Sequence, residues 1–465
     1  MSRVITHLKK DISSLTRYHP DASNRLCFLL GARNAIFLMN SVKNAPENIY
    51  LILNVAGKAR NMEDVKKKVE KEINIQGYEF EFRDDLGDVI AVKTTDRLHL
   101  LDKQMNEDSS ITENKFRMDQ AKLRESATVI VKRQASIKAS LGRSIYSTDL
   151  ISMSNVVGKQ DVVIQNMHYD IVGFGIAEMS EEEIERSPGR IAIRTYEGRY
   201  DIFNYKEQKR YQSGMYSVST LPRILGMNVL KFKKNKPANI IVACQDDGEI
   251  GIALLKKAPE ESKVTFLLSD SEHKQRIEEN IKRLEADGNR ISYIDTTLTA
   301  YSKSRPKEKY THAFVEFKSS ESGMRPNPFF DYEENEIINF ARSQFQGVRA
   351  LALICENEAQ ISYVSHSLDP TENQEIVVQN FRQGNFSPLI LNEEYLKTYP
   401  MDLYVIPEIP SVSQGGMIDT QKMRNEEKFK SCWMGIDSLK HKSHAGFVAY
   451  FEFLSRKGGK KRRRT

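Results

Sequence analysis

The pattern of apolar and polar positions predicts a first α/β module near the start of the chain. An apolar run at 48–55 (NIYLILNV) and two alternating runs at 78–82 (YEFEF) and 88–92 (DVIAV) are typical of strands. Between the first two runs, Asn61 can cap a helix that Gly77 ends. The apolar residues at helical spacing within it are Met62, Val65, Val69 and Ile73. The β-α-β-β order predicts a small α+β module.

A second alternation, in the C-terminal half, predicts a larger layered domain. Strand-like runs at 264–268 (VTFLL), 291–294 (ISYI) and 313–317 (AFVEF) alternate with helical patterns such as 277–284. Strands that alternate with helices are typical of a Rossmann-like, doubly wound and mostly parallel sheet. The run at 347–355 (GVRALALIC) fits a buried strand and one face of a helix equally well.

Between these regions, from 126 to about 194, the pattern changes to short β-rich runs broken by glycines. Three stretches, at 135–151, 158–164 and 174–184, resemble successive segments of PUA domains, which are small RNA-binding β-barrels. The resemblance implies phosphate contacts in the first stretch, because glycine lets the backbone approach closely and basic side chains neutralise phosphate. The candidate RNA contacts are Lys138, Gly142, Arg143 and Tyr146. The alternative is a PUA-like domain kept only for packing.

The net charge of the chain is concentrated at its C-terminus. The formal charge is +6, from 69 basic and 63 acidic residues, and the segment 456–464 (RKGGKKRRR) contributes seven of the basic residues. Without that segment, 62 basic residues face 63 acidic ones, so a nucleic-acid contact elsewhere requires a local basic patch. The tail is typical of a nuclear import signal, a phosphate-contacting arm or a solubilising segment.

Cysteine usage and hydropathy exclude several classes of protein. The four cysteines, Cys27, Cys244, Cys355 and Cys432, are scattered and lack CxxC spacing, which predicts neither a disulfide framework nor a metal site. No apolar run approaches the ~20 residues of a membrane span, and the N-terminus lacks the apolar core of a secretory signal. We therefore expect a globular protein of the cytoplasm, the nucleus or both, without a membrane partner.

Two motifs carry the candidate chemistry, at 315–328 (VEFKSSESGMRPNP) and 361–377 (ISYVSHSLDPTENQEIV). They resemble the two active-site motifs of the RsmB/NSUN family of RNA cytosine-5 methyltransferases. Those motifs are an Asp-Ala-Pro-Cys-Ser-Gly loop that ends in Arg-Pro, and a Tyr-Ser-Thr-Cys-Ser strand followed by Glu-Asn. Here Glu316 replaces the aspartate, Ser319 the first cysteine and His366 the second. The residues that match the family pattern are Gly323, Arg325, Pro326, Tyr363, Ser367, Glu372 and Asn373.

The resemblance implies a reaction that this chain lacks the thiols to perform. In the family, a cysteine thiolate adds to carbon 6 of cytosine, and carbon 5 then takes the methyl group. A cysteine of pKa ~8.5 supplies that thiolate in a modestly positive pocket, whereas Ser319 has no comparable anion near neutral pH. His366 can accept protons, but we interpret it as a polar residue of a relict pocket. Ser319, His366 and Glu316 are thus predicted relict catalytic positions, and Arg325 a predicted RNA contact.

The loop expected to bind S-adenosylmethionine also departs from the family pattern. The segment 238–255 (ANIIVACQDDGEIGIALL) keeps Gly248 but is acidic. Its acids are Asp246, Asp247 and Glu249. A helix N-terminus holds a ligand carboxylate only if its amides are approachable and locally positive. The resemblance places Asp270 and Asp295 near the acids that contact ribose and adenine, although both are equally ordinary strand-end acids. We expect no cofactor, or S-adenosylmethionine if the site is active.

The patterns and the resemblance together predict four segments. The first module resembles an RRM, but its aromatic residues at 78–82 alternate with acids, which favours core over an RNA-stacking face. The segment 200–222 is interpreted as a linker, and the resemblance favours helix at 347–355. The predicted segments are an RRM-like module (1–117), a PUA-like domain (118–200), a Rossmann-like methyltransferase-type domain (201–455) and a basic tail (456–465).

Three hypotheses about function follow. The leading one is an RNA-binding pseudoenzyme whose ligand is transfer RNA, because the resemblance is strongest to the family's PUA-containing transfer-RNA methyltransferase. The second is an active methyltransferase with nonstandard residues in the pocket. The third is an inactive scaffold subunit that pairs with a catalytic methyltransferase.

Overall fold

The fold, taken from a computed structural model, consists of two compact units. The structure describes residues 20–30, 35–36, 39–40, 42, 44–96, 127–153, 156–244, 246–327, 332–399, 432–436, 441 and 443–455. The described residues of 1–92, 204–325 and 330–465 form the first unit, and those of 93–203 and 326–329 form the second. The four-segment division stays a prediction, and its boundary at 117 and its basic tail lie outside the described residues.

Short strands and helices follow one another along both units. The strands are β1 (Asn48–Leu53), β2 (Phe80–Phe82), β3 (Val89–Lys93), β4 (Thr95–Asp96), β5 (Ala127–Val131), β6 (Ile145–Tyr146), β7 (Leu150–Met153), β8 (Asp161–Gln165), β9 (Ile171–Ala177), β10 (Ile191–Gly198), β11 (Tyr200–Asp201), β12 (Tyr216–Ser219), β13 (Asn239–Ala243), β14 (Lys263–Leu267), β15 (Ile291–Ile294), β16 (Tyr310–Val315), β17 (Cys355–Ser365), β18 (Phe386–Pro388), β19 (Trp433–Ile436) and β20 (Gly446–Phe453). The helices are α1 (Pro20–Leu30), α2 (Met62–Ile75), α3 (Arg133–Ser140), α4 (Glu181–Arg186), α5 (Lys209–Gln212), α6 (Leu221–Val229), α7 (Glu249–Lys257), α8 (Ser271–Arg283), α9 (Leu298–Lys303), α10 (Glu334–Ile354), α11 (Gln374–Arg382) and α12 (Glu393–Thr398).

The first unit is built around an eight-stranded sheet with helices on both faces. The strand order is β15-β14-β13-β16-β17-β20-β18, and β19 also pairs with β20. The strands from β15 to β17 run parallel, whereas β20 is antiparallel. Apolar residues of α6, α7 and α8 pack into one hydrophobic cluster, and those of α9, α10 and α11 into another. This confirms the predicted doubly wound sheet, and α10 confirms helix at 347–354.

A four-stranded sheet of the first unit has the order β12-β1-β3-β2. Helix α2, which packs against β1, begins at its predicted cap, where the Asn61 side chain accepts a hydrogen bond from the Asp64 amide at 2.9 Å. The other face of the sheet, including Tyr50 and Ala91, shares a hydrophobic cluster with α6 residues such as Leu221. The α+β module is therefore present, and the face on which an RRM would stack bases is used for packing.

The interpretation of 200–222 as a linker is wrong in part. Strand β12 of this segment pairs antiparallel with β1, with Val218 opposite Leu51, and completes the four-stranded sheet. A four-residue strand is too short for its periodicity to be recognised in the sequence, which explains the error.

The second unit contains a six-stranded sheet of order β6-β10-β9-β8-β5-β7. Helix α3 packs on it, because Ala135 and Ala139 share a cluster with strand residues such as Val162. Gly198 approaches the loop after α3 so closely that a side chain would lie 2.4 Å from the Gly142 nitrogen, so only glycine fits there. The unit is the small β domain that the sequence predicts.

All four cysteines are free. In the part of the chain that the structure describes, no helix is long and apolar enough to cross a membrane. The same described residues contain no group of three or more His, Cys, Asp and Glu side chains that could hold a metal ion.

Candidate active site

The two motifs and the predicted cofactor loop meet at the carboxyl ends of the central strands. The strand order reverses between β13 and β16, and ligands of doubly wound sheets bind in the crevice at such a switch point. Cys244 follows β13 directly, and Glu316 follows β16 directly. The Glu316 amide donates to the Ala243 carbonyl at 2.7 Å, which fixes the two strand ends side by side.

Glu316 is buried, with 8% of the residue exposed, and its carboxylate is held by side chains inside the protein. From α6, the Arg223 guanidinium donates to it twice, from Nε at 2.6 Å and from Nη2 at 3.1 Å. The Cys244 thiol donates to the same carboxylate at 3.0 Å. Burial alone would raise the pKa of Glu316, but Arg223 and His366 hold it well below its usual range. Glu316 is therefore an ionised carboxylate.

His366 bridges this carboxylate to the start of α6. Its Nδ1 lies 2.8 Å from Glu316 Oε1, and its Nε2 lies 2.8 Å from Thr220 Oγ1. Because an ionised carboxylate only accepts hydrogen bonds, Nδ1 carries a proton. Both ring nitrogens are thus engaged inside the protein, which locks the orientation of the imidazole.

Cys244, the one cysteine kept in the cofactor loop, is not a nucleophile. Burial raises the pKa of its thiol well above the usual range, and the negative charges of Asp246 and Glu316 raise it further. Only a thiolate attacks or binds metal effectively, so the side chain stays a neutral hydrogen-bond donor.

A second cluster, built from neutral hydroxyls, surrounds Glu372. Ser320 Oγ donates to the Glu372 carboxylate at 2.5 Å and Ser367 Oγ at 2.6 Å, and the Ser320 amide donates at 2.9 Å. Glu372 is fully buried, and burial followed by the charge of Asp369 raises its pKa to about 7. This cluster joins the first motif to the second, and none of the described side chains that donate to the Glu372 carboxylate is cationic.

The structure brings some of the predicted catalytic positions together and keeps one apart. Glu316 and His366 are in direct contact, as described above. Ser319 is 5% exposed, and its Oγ accepts from the Glu321 amide at 3.2 Å. Within the described residues it forms no hydrogen bond to Glu316 or His366.

Every acid of the cofactor loop has an internal partner. Asp246 Oδ2 accepts from the Ile250 amide at 2.8 Å, so it occupies the first turn of α7. Asp247 pairs with Arg276 at 2.8 Å and Glu249 with Arg283 at 2.7 Å. Burial raises the pKa of Glu249 to about 8 against the effect of Arg283, and Asp246 and Asp247 contribute to that rise.

The remaining loop residues have structural roles. Gly248 has φ +85°, and a side chain there would meet Ile277 at 2.9 Å, so glycine is required. Arg283 is held by the carbonyls of Tyr211 (3.0 Å) and Tyr216 (2.9 Å) and lies 3.8 Å above the Tyr211 ring. Arg283 is therefore engaged within the protein and is not available to attract a ligand carboxylate.

Of the two predicted cofactor acids, Asp270 caps α8, where its side chain accepts from the His273 amide at 2.7 Å. This hydrogen bond, then one from Ser269, lowers the pKa of Asp270. Asp295 is exposed just after β15. Cofactor contacts of Gly248, Asp270 and Asp295 stay predictions.

The predicted RNA contacts of the second unit lie in the last turn of α3 and in the segment that follows it. Lys138 Nζ lies 3.3 Å from Asp149 and 5.7 Å from the centre of the Tyr146 ring. Gly142 has φ +72°, and Arg143 is exposed. Their role in RNA binding stays a prediction.

Arg325, in the first unit, is 6% exposed. Its guanidinium donates to the carbonyls of Asn44 at 3.1 Å and Ser443 at 3.2 Å, and its amide donates to His444 Nδ1 at 2.9 Å. These contacts fix the end of the first motif, and an RNA contact by Arg325 stays a prediction.

The sequence analysis did not identify two residues that bind the side chains of Glu316 and His366. Thr220 and Arg223 lie at the start of α6 and bind the second and first motif respectively. No motif marks either residue: Thr220 lies inside the segment 200–222, which the sequence analysis interprets as a linker, and Arg223 follows it directly.

The first unit has a Rossmann-like fold with a candidate site at the strand ends, and the second unit is a small β domain. No family model matches the sequence, and no curated protein matches it. Among solved structures, NSun6 from Pyrococcus horikoshii with SFG is similar at a TM-score of 0.69 and 15% identity, over 95% of this chain and 100% of that one. PH0851 has a TM-score of 0.55 and 12% identity, covering 96% and 68% of the two chains. A methyltransferase homolog from Pyrococcus horikoshii has a TM-score of 0.53 and 10% identity, covering 96% and 98%. At these identities the likeness establishes the fold.

Proposed function

We propose that this protein is an RNA-binding, catalytically inactive relative of the RsmB/NSUN methyltransferases, with transfer RNA as its ligand. The observation that carries the proposal is the first turn of α7, where Asp246 already accepts from the Ile250 amide at 2.8 Å. A protein carboxylate thus occupies the place in which a cofactor carboxylate would dock.

The charges around that turn support the same conclusion. Arg276 is paired with Asp247 and Arg283 with Glu249, so neither arginine is free to attract an incoming carboxylate. The negative charge of Asp246, which lies directly at the turn, repels such a carboxylate.

The reaction centre supports inactivity independently of the cofactor. Its positions hold a serine and an internally bridged histidine, and the nearby Cys244 stays a thiol because burial raises its pKa. No group at these positions supplies the soft, ionised nucleophile that addition to a pyrimidine requires.

Titration calorimetry with S-adenosylmethionine tests the proposal. We expect no saturable heat at micromolar concentrations, with an active RNA cytosine-5 methyltransferase as the positive control. Saturable binding would instead favour the second hypothesis, an active enzyme that uses Ser319, His366 and Glu316.

RNA binding is tested on the second unit. Replacing Lys138 and Arg143 by alanine should weaken transfer-RNA binding and make its salt dependence shallower by about 2, since each lost phosphate contact removes one released counterion. The matched control is Lys159→Ala with Arg194→Ala, which removes the same charge from a pair of side chains bound to Glu178.

Loss of binding only on deletion of 456–464 would contradict the assignment of the second unit as the RNA platform. Crosslinking in cells followed by sequencing of bound RNA identifies the ligand. A protein recovered without RNA, but with a catalytic methyltransferase, would favour the scaffold hypothesis instead. We also propose that the protein resides in the cytoplasm, the nucleus or both.

A further inference from the structure

Two loops at the amino ends of the central strands are unusually basic. The loop 231–236 (KFKKNK) precedes β13, and the loop 303–309 (KSRPKEK) precedes β16. Together they contain eight basic residues and one acidic residue. They lie at the edge of the sheet opposite to the candidate active site, because β13 and β16 run parallel.

The fold holds the two loops side by side. The Asn239 side chain donates to the Lys309 carbonyl at 2.8 Å, and His312 Nε2 lies 3.1 Å from the Lys231 carbonyl. The rings of Phe232 and His312 lie 4.7 Å apart. Burial lowers the pKa of His312 against the effect of its hydrogen bond to Lys231, and the positive charge of Lys236 lowers it further.

The cations of this basic face lack acidic partners. Its one acid, Glu308, accepts from the Asn239 side chain at 3.1 Å. Lys309 donates to the Leu353 carbonyl at 2.6 Å, and the other seven basic side chains form no ion pair with any described residue.

Acids of the adjoining loops do not cancel this charge. The adjoining segments add one basic residue and four acidic ones to the two loops. These are Lys263, Glu260 and Glu261 before β14, and Glu356 and Glu358 at the start of β17. The two loops and these segments together hold nine basic residues and five acidic ones. The chain without its basic tail is close to neutral, so this excess is a local patch of the kind that a nucleic-acid contact requires.

We propose that this basic face, 231–236 with 303–309, binds the phosphate backbone of RNA. The inference rests on the proposed RNA-binding function and adds a second contact surface, in the first unit. Lysines predominate, and their flexible, strongly hydrated ammonium groups suit contacts to phosphate rather than the reading of bases. The contact is therefore independent of RNA sequence and sensitive to salt.

The test is fluorescence anisotropy of the full chain with labelled transfer RNA, between about 50 and 200 mM salt. The variant replaces Lys233, Lys234, Lys236 and Lys307 by glutamine. We expect the slope of log affinity against log salt to become shallower by about 3, and the affinity near 0.1 M salt to fall about tenfold or more. Arginine at the same four positions should retain binding, which shows that charge rather than folding is responsible.

A matched control removes the same charge from exposed lysines elsewhere in the unit: Lys58, Lys67, Lys71 and Lys282. An equal loss in both variants would mean that only net charge matters, and the inference would be overturned. Wild-type binding by the basic-face variant would overturn it too, while leaving the proposed function intact, and loss of binding to phosphatidylserine vesicles alone would assign the face to membranes. A wild-type chain that binds no RNA would overturn both.

Discussion

Two buried glutamates at the carboxyl edge of the large sheet show how the same residue can be accommodated in opposite ways. Glu316 is held by the Arg223 guanidinium and by His366, and its pKa lies well below the usual range. Glu372 is held by the hydroxyls of Ser320 and Ser367, and its pKa is raised to about 7.

The difference lies in what offsets the cost of burial. A cation stabilises only the ionised carboxylate, whereas hydroxyls leave the proton-bound form as a competitive alternative once water is excluded. The Glu316 carboxylate therefore stays ionised near neutrality, whereas the Glu372 carboxyl titrates there. In both regions the glutamate carboxylate accepts its hydrogen bonds from side chains inside the protein.

The largest expected effect comes from removing the cation beside Glu316. Arg223→Met leaves a buried carboxylate with two of its four hydrogen bonds, and we expect the free energy of unfolding to fall by about 3–5 kcal/mol. Urea denaturation followed by circular dichroism measures it. The control Arg276→Met removes the partner of half-exposed Asp247 and should cost under about 1 kcal/mol. Equal losses in the two variants would contradict the importance of burial.

A smaller effect is expected from pH at Glu372. The ordinary pKa of 4.5 applies to the unfolded chain, and about 7 to the folded one, so the folded state keeps a proton that the unfolded state has released. The stabilisation is complete below pH 4.5 and is lost as pH rises to about 7, which corresponds to about 3 kcal/mol. Glu249, whose pKa is raised to about 8, adds a further loss of stability as pH rises, and this loss continues up to about pH 8.

Denaturant unfolding between about pH 5 and pH 8 measures this slope. Within this range the stabilisation from ionised Glu316 is constant, because its lowered pKa means that this stabilisation is lost only in acid. Glu372→Gln cannot titrate and should flatten the curve up to about pH 7. A variant with the slope of the wild type would show that other groups set the pH dependence.

The smallest expected effect is on catalysis when the missing thiols are restored. Ser319→Cys with His366→Cys should produce no methyl transfer to transfer RNA, because the cofactor turn stays blocked by Asp246 and groups that act as a unit do not add. Radiolabelled S-adenosylmethionine measures incorporation. Clear incorporation would mean that the two clusters around Glu316 and Glu372 are a site that lost only its nucleophiles.

Much of the local structure could be predicted, because local rules set it. The Asn61 cap, the helical spacing up to Ile73 and the alternation of strands with helices confirm this. What could not be predicted depends on residues far apart in the chain. Strand β12 forms only because β1 offers it an edge, and Arg223 matters only because α6 brings it to Glu316.

The sequence by itself determined the doubly wound fold, the absence of cysteine at positions 319 and 366, and the acids of the cofactor loop. Only the tertiary structure decided what those acids do. Asp246 accepts a hydrogen bond from the first turn of α7, while Asp247 and Glu249 pair with two arginines of α8. The physical reason is that periodicity and capping act between chain neighbours, whereas the partner of a buried charge is whichever group the packed elements bring within hydrogen-bond distance.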